Sequence, residues 1–260
     1  MIALVGAGRM GGALLEGWIA AGTALSDISV VDPKPGSSAL AVIDQGARHG
    51  PGTLAQAETV LLAVKPQVFA EIWDDMAERI APGTLIISIM AGVTCATLSK
   101  AFPGCPVIRA MPNTPASVGA GVTGLYAGED ASEADVSEAE RRLGVTGAVV
   151  RVYEERDIDR VTSVSGSGPA YVFHLVEALA EAGEAVGLSA DVAAQLARET
   201  IIGAGELLKS DGDAAALRRA VTSPNGTTQA ALEVLMPELP DLMRRTVQAA
   251  FDRAEELGKG

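Results

Sequence analysis

The chain has little of what usually announces chemistry by residue type. Two cysteines, Cys95 and Cys105, and two histidines, His49 and His174, stand in 260 residues. That is too few for a Cys/His metal site or a disulfide framework, and the cysteines read as unpaired thiols in a reducing compartment. Basic residues are outnumbered 20 to 33 by acidic ones, a net charge of −13. With no basic patch, nucleic acid and anionic membrane surfaces are excluded as partners. No apolar run reaches the length of a membrane span. The longest, residues 59–64 and 85–93, suit buried strands. The first residues lack the basic segment of a secretory leader and already read as a strand. The expectation is a cytoplasmic, metal-free protein with one large core or two modest ones.

What is present begins at the first residue. Met1-Ile-Ala-Leu-Val5 runs straight into Gly6-Ala-Gly8-Arg9-Met10-Gly11, a G-x-G-x-x-G sequence with a strand before it and a helical pattern after it. Gly6 permits the tight turn, Gly8 the close approach of a pyrophosphate and Gly11 the packing of helix on strand. A second strand, residues 28–31, ends in Asp32, where a ribose-binding acid belongs. The competing reading is a glycine-rich turn with no ligand.

Strand-like and helical runs then alternate, predicting a mostly parallel sheet covered on both faces. Helices are expected near 38–45, 68–80 and 131–143. Strands are expected at 60–64, 84–89, 107–111, 122–127 and 148–152. From residue 154 the alternation stops. Val172, Leu175, Val176 and Leu179, and later Ala193, Leu196, Ala197, Thr200 and Ile201, keep helical spacing. The fold class is therefore α/β, a Rossmann-type nucleotide-binding domain over 1–152 followed by an all-helical domain over 153–260. Small residues crowd the second part (Ala178, Ala182, Gly183, Gly187, Gly203, Gly205), so its helices approach closely and are expected to build an intertwined dimer; a compact monomeric bundle is the alternative.

Three strand-to-loop edges lie where ligands bind in such sheets: Val64-Lys65-Pro66, Ala91-Gly92 and Pro112-Asn113. Ser167 reads as the N-cap of a helix with Pro169 just inside it. His174 sits among apolar neighbours and reads as a packing residue. No acid–base pair stands out, which suits a nicotinamide cofactor that performs the difficult step itself. The most distinctive stretch is Val221-Thr-Ser223-Pro-Asn-Gly226-Thr227-Thr228, a tight polar turn opening a helix. Pro224 fixes one φ and Asn225-Gly226 tolerates positive φ. The free amides of such a helix start, flanked by hydroxyls, are a receptor for a small carboxylate, and Thr228 adds a hydrogen-bond donor.

Taken together these motifs resemble the pyrroline-5-carboxylate reductase family over essentially the whole chain. The resemblance rests on Gly6–Met10, Val64-Lys-Pro-Gln67, Arg109-Ala-Met-Pro-Asn-Thr-Pro115, Ser165-Gly-Ser-Gly-Pro-Ala-Tyr171 and Val221–Thr228. It implies reduction of 1-pyrroline-5-carboxylate to L-proline with NADPH or NADH. It also implies that Ser223 and the backbone of 226–228 hold the carboxylate, with Thr228 donating to the ring nitrogen. On the cofactor side it implies Gly6, Gly8, Arg9, Met10, Gly11, Asp32, Lys34, Val64, Lys65, Pro66, Ala91, Gly92, Pro112 and Asn113. It further implies dimers joined through the helical domain and, beyond them, pentamers of dimers. Two positions depart from the family. Asn225 replaces a glycine, and Asp32-Pro33-Lys34 replaces a loop that grips the 2′-phosphate of NADP; aspartate there suits a ribose diol and Lys34 a phosphate. Related β-hydroxyacid dehydrogenases need a helical-domain lysine, for which 203–209 is the nearest match, and a non-catalytic nucleotide sensor would leave the polar turn unexplained.

Overall fold

The computed structural model describes residues 1–210 and 212–258. Eight strands form one sheet: β1 (Ile2–Val5), β2 (Ile28–Val31), β3 (Arg48–His49), β4 (Thr59–Leu62), β5 (Leu85–Ser88), β6 (Val107–Met111), β7 (Gly121–Ala127) and β8 (Gly147–Val152). Their order is 3-2-1-4-5-6-7-8. All pairings are parallel except β6 with β7. From β1 the chain winds outward in both directions, so the crevice between the C-terminal ends of β1 and β4 is the switch point at which such sheets bind ligands.

β1, β4 and β5 are buried along their whole length. Strands covered on both faces are apolar along most of their length, which is why Ile-Ala-Leu-Val and Leu-Ile-Ile show no alternation, polar Thr59 and Ser88 falling at strand ends. One face carries α1 (Arg9–Ala20), α2 (Ser37–Asp44) and α5 (Glu133–Leu143), with Trp18, Leu14 and Leu15 in its core. The indole Nε1–H of Trp18 donates to the carbonyl of Arg142 at 2.8 Å. The other face carries α3 (Pro66–Ala77) and α4 (Cys95–Ala101), with Phe69, Leu98 and Phe102. The expectations did not include α4. Its start is capped by Thr94, whose hydroxyl accepts from the Thr97 amide at 3.2 Å.

The chain separates into two compact units, Met1–Ser167 with the residues from Ala250 onward, and Gly168–Ala249. The first unit thus continues past β8 into α6 (Asp157–Val161) and a π-helical segment at Thr162–Gly166. Buried Arg109 holds α6 to the sheet: its Nη1 bonds Glu155 Oε1 at 2.8 Å, and the same oxygen accepts from the Cys95 amide at 2.6 Å. Arg156 pairs with Glu255 at 2.6 Å and lies 5.2 Å over the Phe251 ring, fastening the last turns of the final helix. Ser167, expected as an N-cap, is not one. Its backbone is helical, and its amide bonds the Thr162 carbonyl at 2.9 Å as the last turn of the π segment. The chain arrives already helical, leaving nothing to cap.

The second unit holds α7 (Gly168–Ala185), α8 (Ala190–Ser210), α9 (Ala214–Ala220) and the larger part of α10 (Thr227–Gly258), which runs on through Pro237 and Pro240. α7 and α8 pack closely because Gly183 has no side chain; a Cβ there would lie 3.2 Å from that of Ala193. His174 corrects a further expectation. It is 82% exposed and bonds Glu177 at 3.0 Å rather than packing among apolar neighbours. No helix among the described residues is long and apolar enough to cross a membrane.

Candidate active site

The glycine loop does what its spacing required. Gly6 has φ +90°, and a Cβ on it would meet Val64 Cγ1 at 2.7 Å and the Ala63 carbonyl at 2.8 Å. A Cβ on Gly11 would lie 2.3 Å from the Gly6 oxygen, so only glycine lets α1 start against the loop. At Gly8 a Cβ would meet nothing within 4 Å. That is the open face a pyrophosphate needs. Gly8 precedes α1 without a side-chain cap, and the N–H groups of Arg9, Met10 and Gly11 lie in the first turn, before any i→i−4 acceptor is available. Positive helix-end potential and open donors together make an anion receptor.

Beside it lies a cleft of about 370 Å³ lined by Gly8, Arg9, Glu16, Lys34, Ser38 and Ser117. Lys34 is exposed, and α2 follows Gly36, which gives it no side-chain cap. Asp32 binds the backbone around it. Its Oδ2 accepts from the Ala7 amide at 2.6 Å and its Oδ1 from the Lys34 amide at 2.7 Å. The carboxylate therefore straps the glycine loop to the end of β2 while keeping lone pairs for a further donor. Ser38 was absent from the sequence reading; the signal was a Gly-Ser-Ser helix start directly after the acidic strand end.

The three further strand ends contribute differently. Val64 closes over Gly6, Lys65 is exposed as the residue before α3, and Pro66 is the first residue of that helix. Gly92 has φ +76°, and a Cβ on it would meet the Leu257 carbonyl at 2.9 Å, so glycine is required there by the last turn of α10; Ala91 beside it is exposed. Pro112 and Asn113 are buried. Asn113 uses both ends of its amide internally: Oδ1 accepts from the Val122 amide at 2.9 Å and Nδ2 donates to the Ser165 carbonyl at 3.1 Å. That carbonyl belongs to the π segment, whose wider turn changes the usual pairing of its backbone groups. The Asn113 side chain fixes the loop, leaving backbone for a ligand. Burial, and then Glu155, push the Cys95 thiol up to about 12, so it is no nucleophile at neutral pH.

The second unit carries the polar turn. The Gly226 amide bonds the Ser223 carbonyl at 3.1 Å, closing a four-residue turn with Pro224 and Asn225 at its centre. Asn225 has φ +59° and is the only non-glycine with positive φ among the described residues. Proline followed by a left-handed residue is the signature of a type II turn. A Cβ on Gly226 would lie 2.4 Å from Ser223 Oγ, so the glycine is what allows the hydroxyl to close over the helix start. The Ala230 amide bonds the Gly226 carbonyl at 3.2 Å, which makes Gly226 the capping position; glycine has no side chain to cap with. Ser223, Gly226, Thr227 and Thr228 are thus brought together around one helix start. The sequence reading missed Gln229 beside them, although a glutamine at the third position of a helix reaches back in capping boxes.

A family model for pyrroline-5-carboxylate reductase dimerisation matches residues 155–257, and one for coenzyme F420-dependent NADP oxidoreductase matches residues 1–92. A pyrroline-5-carboxylate reductase from Pseudomonas aeruginosa is 39% identical over 269 residues, covering 99% of this chain and 97% of its own. The structure of a pyrroline-5-carboxylate reductase from Coxiella burnetii superposes with a TM-score of 0.93 at 34% identity, over 100% of this chain and 98% of that one. A pyrroline carboxylate reductase from Plasmodium falciparum, with NADP bound, gives a TM-score of 0.81 at 26% identity, over 99% and 97%.

Proposed function

The chain belongs to the pyrroline-5-carboxylate reductase family, and on that premise we propose how its residues divide the work. It is an NAD(P)H-dependent oxidoreductase acting on an imine, reducing 1-pyrroline-5-carboxylate to L-proline, the last step of proline biosynthesis. The observation that carries the assignment of roles is the Ser223–Thr228 turn, with its left-handed Asn225 and its glycine-headed helix start.

By role, residues 1–152 serve the dinucleotide and 153–260 the substrate and the dimer, a division that differs from the compact units, the first of which runs on to Ser167 and takes in the end of α10. Gly6, Gly8 and the amides of Arg9, Met10 and Gly11 hold the pyrophosphate, with Gly8 keeping that face open. Asp32 and Lys34 meet the adenosine ribose, while Val64-Lys65-Pro66, Ala91-Gly92 and the Pro112-Asn113 backbone line the nicotinamide side. When bound, the cofactor supplies a hydride to the imine carbon of the ring, C2 of 1-pyrroline-5-carboxylate. Ser223 and the 226–228 amides hold the substrate carboxylate through charge-assisted hydrogen bonds. The substrate enters as its iminium, so the ring nitrogen already carries its proton; the Thr228 hydroxyl meets that nitrogen and keeps its orientation as the C=N π pair becomes the nitrogen lone pair. Fixing both the carboxylate and the nitrogen of a five-membered ring leaves the imine carbon one direction to face, so positioning substitutes for a strong acid. The chain works as a homo-oligomer through its dimerisation domain. Dimers assemble further into pentamers of dimers, in the cytoplasm.

The test follows oxidation of NADPH and of NADH by the purified chain with 1-pyrroline-5-carboxylate, for wild type, Ser223→Ala and Thr228→Ala. Turnover that both substitutions depress is expected. Turnover that neither changes would remove the turn from the active site.

A further inference from the structure

Gln229 lies outside every motif that carries the family likeness. Its Oε1 accepts from the backbone N–H of Asn225 at 2.8 Å, and its Nε2 donates to Glu233 Oε1 at 3.1 Å. The two bonds fix the amide, because flipping it would set an NH₂ group against an N–H and an oxygen against a carboxylate. The residue it holds is the one strained point of the turn, the non-glycine with φ +59°. A left-handed backbone is unfavourable for any residue with a Cβ, and asparagine only reduces the penalty. The peptide plane that follows Asn225 carries the Gly226 amide, which closes the turn onto the Ser223 carbonyl.

We propose that Gln229 is a positioning residue for the substrate carboxylate, bracing Asn225 in its left-handed conformation and thereby aiming the Gly226–Thr228 amides and the Ser223 hydroxyl. This rests on the assignment of the turn as the carboxylate receptor. Glutamine suits the task because it accepts from the turn and donates to Glu233 at once. Alanine does neither. A glutamate accepts from Asn225 but repels Glu233 and places a negative charge one helical turn from the substrate's own; once protonated, it accepts and donates like the amide.

The full-length enzyme is assayed with 1-pyrroline-5-carboxylate and cofactor varied separately, as Gln229→Ala, Gln229→Glu, Asn225→Gly and Asn225→Gly/Gln229→Ala. Losing an aim that serves ground and transition states alike raises KM for the imine roughly tenfold, with kcat and the cofactor KM little changed. In the Asn225→Gly background, where the left-handed conformation needs no brace, Gln229→Ala raises that KM by less than about threefold. Gln229→Glu, which keeps the acceptor toward Asn225 but replaces the donor to Glu233 with a second carboxylate, also raises that KM. A KM for Gln229→Ala within about twofold of wild type overturns the proposal, as does an equal rise with and without the glycine at 225. Ser223→Ala and Thr228→Ala run alongside. If they are also silent, the turn does not hold the substrate and both readings fall; if they are impaired while Gln229→Ala is not, only the brace is wrong.

Discussion

Strands β1, β4 and β5 of the first unit are buried at every residue, whereas α7 of the second has no buried residue and α8 only Ala193 and Ala197. Both regions are apolar. Phe173 is 62% exposed and Leu196 53%, side chains that a folded chain normally withdraws from water. The first unit closes its core with its own chain; the second presents apolar helix faces that need another copy. Burial in the first is a property of one chain and in the second of an assembly. Every other expected effect follows from that contrast.

The largest effect is expected where the first unit is most tightly closed. Gly11→Val would force a side chain into the 2.3 Å between its Cβ and the Gly6 oxygen. Overpacking of this kind costs on the order of 3 kcal/mol, and here it also moves the amides that would hold pyrophosphate. The expected outcome is a lower unfolding midpoint and loss of cofactor binding by fluorescence titration, with dimers retained. Tight cofactor binding by this variant would show that the loop is not a fitted cradle.

The glycine loop was legible in sequence because its requirements are local: a positive φ at Gly6 and clearances at Gly8 and Gly11 follow from spacing alone. The same holds for Asn225, whose left-handed backbone an Asn-Gly pair announces. Ser167 was not legible. Gly-Ser-Gly-Pro looks like a fresh helix start, and only the π segment before it, held by Asn113 from a distant loop, makes the chain already helical there. His174 failed for the reason that divides the two units. Apolar neighbours on a helix predict burial, but Val172, Phe173 and Leu175 beside it are exposed as well. Gln229 was given no role although its position signals one: a glutamine at the third helical residue reaches back to the turn, and Glu233 lies one helical turn on.

The second expected effect tests the assembly directly. Leu196→Asp places a charge on an exposed apolar face of α8. Burying that charge in a dimer interface costs several kcal/mol, while leaving it in a monomer costs little. Light scattering at micromolar concentration should show dissociation, with activity falling on dilution and cofactor binding largely kept. A variant that stays dimeric and active would mean that this face is not covered by a second copy.

Within the second unit, Thr228→Ala is expected to lower kcat/KM for the imine by roughly ten- to a hundredfold, the order for one hydrogen bond lost near a changing charge. Cofactor affinity should not move. Thr227→Ala should do less, since its side chain has no assigned bond to the ring. Equal, near-wild-type turnover in both variants would place the ring elsewhere.

The smallest effect concerns the adenosine end. Asp32 accepts from the Ala7 and Lys34 amides, so it is a strap on the glycine loop as well as the charge we propose to meet the ribose. The two roles separate by substitution. Asp32→Asn keeps one acceptor oxygen and removes the charge; Asp32→Ser removes the charge and most of the strap. If the carboxylate repels a 2′-phosphate across exposed, high-dielectric surroundings, its removal is worth about 1 kcal/mol, or roughly fivefold in the NADPH-to-NADH ratio of kcat/KM. Both variants should shift that ratio toward NADPH by a similar factor, because the charge is gone in each. Only Asp32→Ser should also depress kcat/KM for both cofactors, because the loop it held is looser. A ratio unchanged in both variants, with activity lost in Asp32→Ser, would leave Asp32 as a strap alone and move cofactor discrimination to Lys34 and the start of α2.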